Sequence, residues 1–218
     1  MDIFWYGYAC FRLRDRGIAV VTDPYDDSVG CQLPRLRADV VTVSHPHPTH
    51  ANVKGVRGYR KVLDGPGEYE VQGVFITGIA TYHDQKKGKD RGSNTVFLFD
   101  FDGVTVCHLG SLGHPLTQTQ TELLSDVSVL LVPVGGGNTL DATGAAEVIS
   151  QIEPRIVVPM RYRTPGITVR LDPVTRFLKE MGLARPDPLE SLSVSASSLP
   201  EDTQVVLLEP LLTPPEDK

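Results

Sequence analysis

One run of side chains limits the folds open to this chain more than any other. Val40-Val41-Thr42-Val43 leads directly into Ser44-His45-Pro46-His47-Pro48-Thr49-His50. A β-branched run with no polar alternation belongs to a strand covered on both faces, so the chain must supply a layer above it and another below. The same run ends in three of the six histidines. Three imidazoles crowded at a strand end are poorly explained as core packing, and they are common ligands of transition metals.

The neighbouring segments extend this pattern. Ile3 to Tyr6, Cys10 to Arg14 and Ile18 to Thr22 read as strands, the last two joined through Asp15-Arg16-Gly17. A short helix is expected over 51–57 and a strand over Lys61 to Leu63. Gly65 to Glu70 reads as a turn entering a strand, and another extended segment runs from Gly73 to His83-Asp84. Gln85 to Ser93 is a polar, basic loop, read as mobile and exposed, and Asp102-Gly103 is a hairpin signal between Thr95–Phe99 and Val104–Cys107. The second half alternates. A helix from Thr117 as N-cap precedes a buried strand over 127–134, and an amphipathic helix capped by Asp141 precedes a strand over 155–159. A final helix is expected with Pro173 at its first position, and a last strand over 204–208. Meander followed by strand–helix alternation, with no dividing linker, predicts one α/β (α+β) domain over 1–218, with about 211–218 a flexible tail.

A net charge of −6 argues against nucleic acid or an anionic membrane as partner. The first five residues lack a basic segment followed by an apolar one, so no signal peptide is expected. Three scattered cysteines, Cys10, Cys31 and Cys107, fit buried free thiols in a reducing cytoplasm.

Seven blocks in order resemble the metallo-β-lactamase-fold hydrolases, in particular a small bacterial branch similar to sugar-phosphate lactonases. They are Trp5–Phe11 with Thr22-Asp23-Pro24, the His45–His50 loop, Gly65–Glu70, Tyr82-His83-Asp84, Cys107–His114, Pro133–Thr139 and Pro159–Tyr162. The resemblance covers nearly the whole chain. It implies a four-layer αββα sandwich with a metal site of up to two zinc ions at one edge, in loops at strand ends.

The same resemblance implies that His45, His47 and His83 make the first metal position. Residues two apart in an extended segment project to one side, which suits the His-x-His pair. The second position is altered. It keeps His50, but Thr49 and Ser111 stand where the family has aspartates, and Arg161 where it has a late histidine. Two carboxylates and one divalent ion are exchanged for a permanent cation, so the guanidinium is expected in or near the second-metal position with Thr49 and Ser111 as neutral neighbours. Asp23 either orients a histidine or is a turn residue before Pro24, and His108 and His114 are expected in packing or supporting roles. The expected function is hydrolysis of an ester, lactone or phosphoester of a small anionic molecule with at most one zinc. The alternative is a binding or regulatory protein that kept the fold and lost the chemistry.

Overall fold

The computed structural model describes residues 1–212; the part of the expected tail from 213 onward lies outside them. In chain order the first seven strands are β1 (Asp2–Trp5), β2 (Phe11–Asp15), β3 (Ile18–Thr22), β4 (Leu36–Arg37), β5 (Val40–Thr42), β6 (Val56–Arg57) and β7 (Lys61–Leu63). The next six are β8 (Gly67–Val71), β9 (Val74–Tyr82), β10 (Ser93–Asp100), β11 (Thr105–His108), β12 (Val129–Pro133) and β13 (Ile156–Met160). β14 (Leu192–Ser193) and β15 (Gln204–Val205) complete them, and the helices are α1 (Gln118–Leu123), α2 (Ala142–Ile152) and α3 (Val174–Glu180).

These strands form two large sheets, ordered β14-β1-β2-β3-β5-β7 and β15-β13-β12-β11-β10-β9-β8, and a small β4-β6 pair. The mixed architecture expected from the sequence is present. β3, β5, β12 and β13 are buried along their whole length, as their unbroken apolar runs require. β1 and β2 alternate, turning Ile3, Trp5, Phe11 and Leu13 inward. Backbone bonds also join the sheets where the histidine loop begins, with Thr95 N–H donating to Ser44 O at 2.8 Å.

Three two-residue turns hold the meander in register. Arg16-Gly17, Gln72-Gly73 and Asp102-Gly103 all have positive φ at both residues, the geometry that matches strand twist in tight hairpins. α1 and α2 occupy the crossovers between the parallel strands β11, β12 and β13, and α2 packs on α3. Between β3, β5 and β7 the crossovers instead carry single 3₁₀ turns and the β4-β6 pair, with no α-helix. The helix expected over 51–57 is one such place: only Val53–Gly55 turns, and Val56 passes into β6. Asn52 makes no side-chain cap there, and a β-branched residue after Gly55 favours the extended state. Pro173 is the N-cap of α3 rather than its first residue, with extended backbone at ψ 149°. Leu211 N–H donates to Trp5 O at 2.8 Å, bringing the last described residues against β1. No helix among the described residues is long and apolar enough to cross a membrane.

Asp141 caps α2 by accepting from Gly144 N–H at 2.9 Å, and α2 turns Ala145, Val148, Ile149 and Ile152 into the core. Asp141→Ala is expected to cost about 1 kcal/mol, lowering the melting temperature by roughly 2–4 °C in a chain of this size. A thermal melt that matches the unsubstituted protein would contradict this role.

Candidate metal centre

β3 and β5 run parallel, so their C-terminal ends lie side by side and bring Asp23 to the start of the histidine loop. Asp23, fully buried, accepts from Ser44 N–H at 2.7 Å and from the Ser44 hydroxyl at 2.6 Å. Having given its proton to Asp23, the Ser44 oxygen accepts from His45 Nδ1–H at 3.1 Å, which leaves the His45 Nε2 lone pair free. Asp23 therefore orients a histidine through Ser44. Burial pushes its carboxyl up to about 7 against the two Ser44 bonds and the field of Arg161.

His83 arrives from the other sheet at the end of β9. Its ring lies 4.7 Å from that of His45, and its Nε2 is buried with no hydrogen-bond partner among the described residues. Burial lowers His45 to about 3, helped by His83, Arg161 and His47, and lowers His83 to about 4, helped by Arg161, Arg91 and His47, so both are neutral at pH 7. Two neutral imidazoles, one with an unspent buried nitrogen, are suited to a metal.

His47 stands apart. It is exposed, its ring is 6.0 Å from that of His45, and Thr49 engages its Nδ1 with the backbone N–H at 3.3 Å and the hydroxyl at 2.8 Å. An N–H at Nδ1 makes that atom an acceptor and places the His47 proton on Nε2. Among the described residues no three His, Cys, Asp or Glu side chains are arranged to hold an ion. Of the three first-position imidazoles, His45 and His83 lie close together, the latter with an unpartnered nitrogen, whereas His47 would have to leave Thr49 to join them.

The four residues assigned to the second position do meet. Arg161 follows β13, and its guanidinium donates from Nη1 to His50 Nε2 at 3.0 Å and to the Ser111 hydroxyl. His50, accepting at Nε2, donates from Nδ1 to Thr49 Oγ1 at 2.8 Å. The Arg161 side chain is buried, sits 4.6 Å above the Tyr8 ring, and has an unpartnered Nε. Burial pulls its pKa down while Tyr8 and Asp23 pull it up, and an arginine so placed remains a cation. The second position, with a guanidinium bonded to its one histidine and no carboxylate, does not fit a metal.

Local backbone explains these placements. Tyr8, Asp23 and Arg161 all adopt left-handed φ of 52°, 40° and 52°, an uncommon state for non-glycine residues that surrounding contacts must hold. Arg161 N–H donates to Tyr8 O at 3.0 Å, and Asp23 N–H to Thr42 O at 2.9 Å. Gly110 is needed because a Cβ there would lie 2.5 Å from Ser44 Cβ. Asn94 holds the Ser111 backbone at 2.7 Å and reaches Thr81 and Leu109.

Sequence reasoning assigned no role to Tyr8, Ser44 or Asn94. Ser44 adjoins His45 and Tyr8 lies in an early motif, whereas Asn94 carried no local signal. His108 supports from behind, donating from Nε2 to Ala9 O at 2.9 Å and accepting from Gly110 N–H, and His114 Nε2 accepts from Tyr82 N–H. The loop over 85–92 is exposed yet organised: the Asp84 carboxylate accepts from the backbone N–H groups of Lys86, Gly88, Asp90 and Arg91. All four histidines of the predicted site, with Thr49 and Arg161, line one cavity of about 420 Å³; Ser111 lies behind them.

A family model described as a beta-lactamase superfamily domain matches residues 2–161. A UPF0173 metal-dependent hydrolase of Thermoplasma acidophilum is 30% identical, with 79% of this chain and 88% of the relative covered. A UPF0173 protein of Pyrococcus furiosus is 31% identical, with 75% and 84% covered. Among solved structures, a Thermotoga maritima protein described as a candidate Zn-dependent hydrolase of the metallo-β-lactamase superfamily is 39% identical, with TM-score 0.78 over 95% of this chain and 97% of that one. An isothiocyanate hydrolase from Delia radicum gut bacteria shares the fold alone, at 13% identity and TM-score 0.67, with 90% and 100% covered.

Acid should destabilise the metal-free protein. His45, His83 and buried His108 have folded pKa values of about 3, 4 and 4, below the ordinary 6.5, so their stabilising effect is complete above 6.5 and lost as pH falls toward 4. Asp23, raised to about 7, acts oppositely across the window from 3.8 to 7. Burial also holds His50 well below 6.5, so four groups oppose one and the melting temperature should fall between pH 7 and pH 5. A constant or rising value would refute the neutral-histidine assignment.

Proposed function

This chain belongs to the β-lactamase superfamily of metallo-β-lactamase fold, and from that premise we propose a hydrolase that uses at most one metal ion, zinc by its imidazole ligands. The reaction is addition of water across an ester, lactone or phosphoester of a small anionic substrate. The observation that carries the proposal is the Arg161 guanidinium bonded to His50 and Ser111, which gives the second position a fixed positive charge of its own.

His45, His47 and His83 would hold the ion, with His47 turning from Thr49 to do so. When bound, such an ion is a Lewis acid that acidifies water and polarises a carbonyl or phosphoryl oxygen. The chain's own groups supply the rest. Asp23, through Ser44, keeps the His45 lone pair at Nε2. Arg161 presents charge in a buried setting, where it stabilises a developing oxyanion more than it would in water. Ser111 is a poor proton acceptor, so it serves as a hydrogen-bond partner of Arg161 rather than as a base. The second reading, a binding or regulatory protein without chemistry, is favoured by one observation, the occupation of His47 Nδ1 by Thr49.

Metal analysis separates these. Protein purified without added metal and then supplied with zinc should carry one ion per chain, and His47→Ala should lose both the ion and any hydrolysis. No ion after supplementation would establish the second reading instead, and two ions would overturn the role given to Arg161. The converse change is equally direct: Thr49→Asp, Ser111→Asp and Arg161→His together should raise the zinc count from one to two. A count that stays at one would show that the second position was lost for some other reason.

A further inference from the structure

We propose that the mouth of this cavity is an oxyanion subsite in which Arg91, Ser93 and Asn138 hold a phosphate or carboxylate of the substrate, remote from the bond that faces Arg161. This rests on the cavity being the substrate pocket proposed above. The lining contains two guanidiniums and no carboxylate, in a chain whose net charge is −6. The two cations lie at different depths. Arg161 is buried and already bonded to His50 and Ser111, whereas Arg91 is exposed.

Three donors at the mouth are uncommitted. Among the described residues the side chains of Arg91, Ser93 and Asn138 make no hydrogen bond or ion pair, although all three line the cavity. The nearby acids are engaged elsewhere. Asp90 pairs with Lys86 at 2.9 Å, and Asp84 spends its carboxylate on backbone N–H groups, including that of Arg91 at 2.8 Å. Arg91 is thus anchored through its backbone with its guanidinium free. Asn138 comes from a different connection, after Gly136 and Gly137 at φ 64° and 72°. A planar guanidinium fork, a hydroxyl and an amide that line one cavity from two connections suit a tetrahedral or planar oxyanion. A cavity of about 420 Å³ takes a small molecule rather than a polymer. The substrate class is then a small ester, lactone or phosphoester carrying a separate anionic group.

Inorganic phosphate tests the subsite by calorimetric titration of the zinc-free full chain at low salt. One saturable site is expected. Arg91→Gln should weaken it about tenfold, the loss expected for a charge-assisted hydrogen bond, and Asn138→Ala should weaken it severalfold. Lys87→Gln, in the same loop but outside the cavity lining, should stay within twofold. The proposal is overturned if phosphate does not bind, if Arg91→Gln binds as the unsubstituted chain does, or if Lys87→Gln costs as much as Arg91→Gln, which would indicate a diffuse field. Phosphate binding needs no zinc, and the zinc count does not involve Arg91, so either result can fail while the other stands.

Discussion

A buried guanidinium is the constraint on which the rest of the site depends. Arginine cannot shed its proton under ordinary conditions, so burying Arg161 without compensation would cost several kcal/mol. No carboxylate among the described residues bonds it directly. Its charge is instead met by the Tyr8 ring, the lone pair of His50, the Ser111 oxygen and the field of Asp23. Each of these needs its own support, and the left-handed backbones of Tyr8, Asp23 and Arg161 show where the fold is bent to provide it.

The consequences run along a chain of hydrogen bonds. Because Arg161 can only donate, His50 must accept at Nε2 and donate at Nδ1. Thr49 then receives that proton and turns its own hydroxyl hydrogen toward His47 Nδ1, where its backbone N–H also points. A cation at the floor of the cavity thereby sets the tautomer of an exposed imidazole at its mouth. On the other side, Asp23 and Ser44 set His45 the opposite way, with its free lone pair at Nε2. The two histidines of one His-x-His pair are thus prepared differently, one for a metal and the other bonded to Thr49.

Much of the fold was legible because its signals are local. Unbroken β-branched runs marked the strands buried on both faces, Asp102-Gly103 marked a tight hairpin, and Thr117 and Asp141 marked helix starts that the structure contains. The short helix expected over 51–57 was misread because a short segment with β-branched Val53 and Val56 on either side of Gly55 satisfies a 3₁₀ turn as well as an α-helix. The β4-β6 pair escaped notice because two-residue strands owe their existence to a partner rather than to their own composition. The loop over 85–92 was read from its lysines, whereas its shape comes from the buried Asp84 carboxylate.

For the site, the sequence by itself determined the inventory: which strand ends bear imidazoles, and that positions 49, 111 and 161 carry two hydroxyls and a guanidinium. Residue identity settles charge and donor count, and those do not depend on conformation. Only the tertiary structure decided how the inventory is spent. It placed Arg161 against His50 and Ser111, sequence separations of 111 and 50, put Asp23 behind His45 across parallel strands, and set Arg91 at the mouth with no side-chain partner among the described residues. Hydrogen-bond direction, tautomer and desolvation are properties of neighbours in space, and no spacing along the chain contains them.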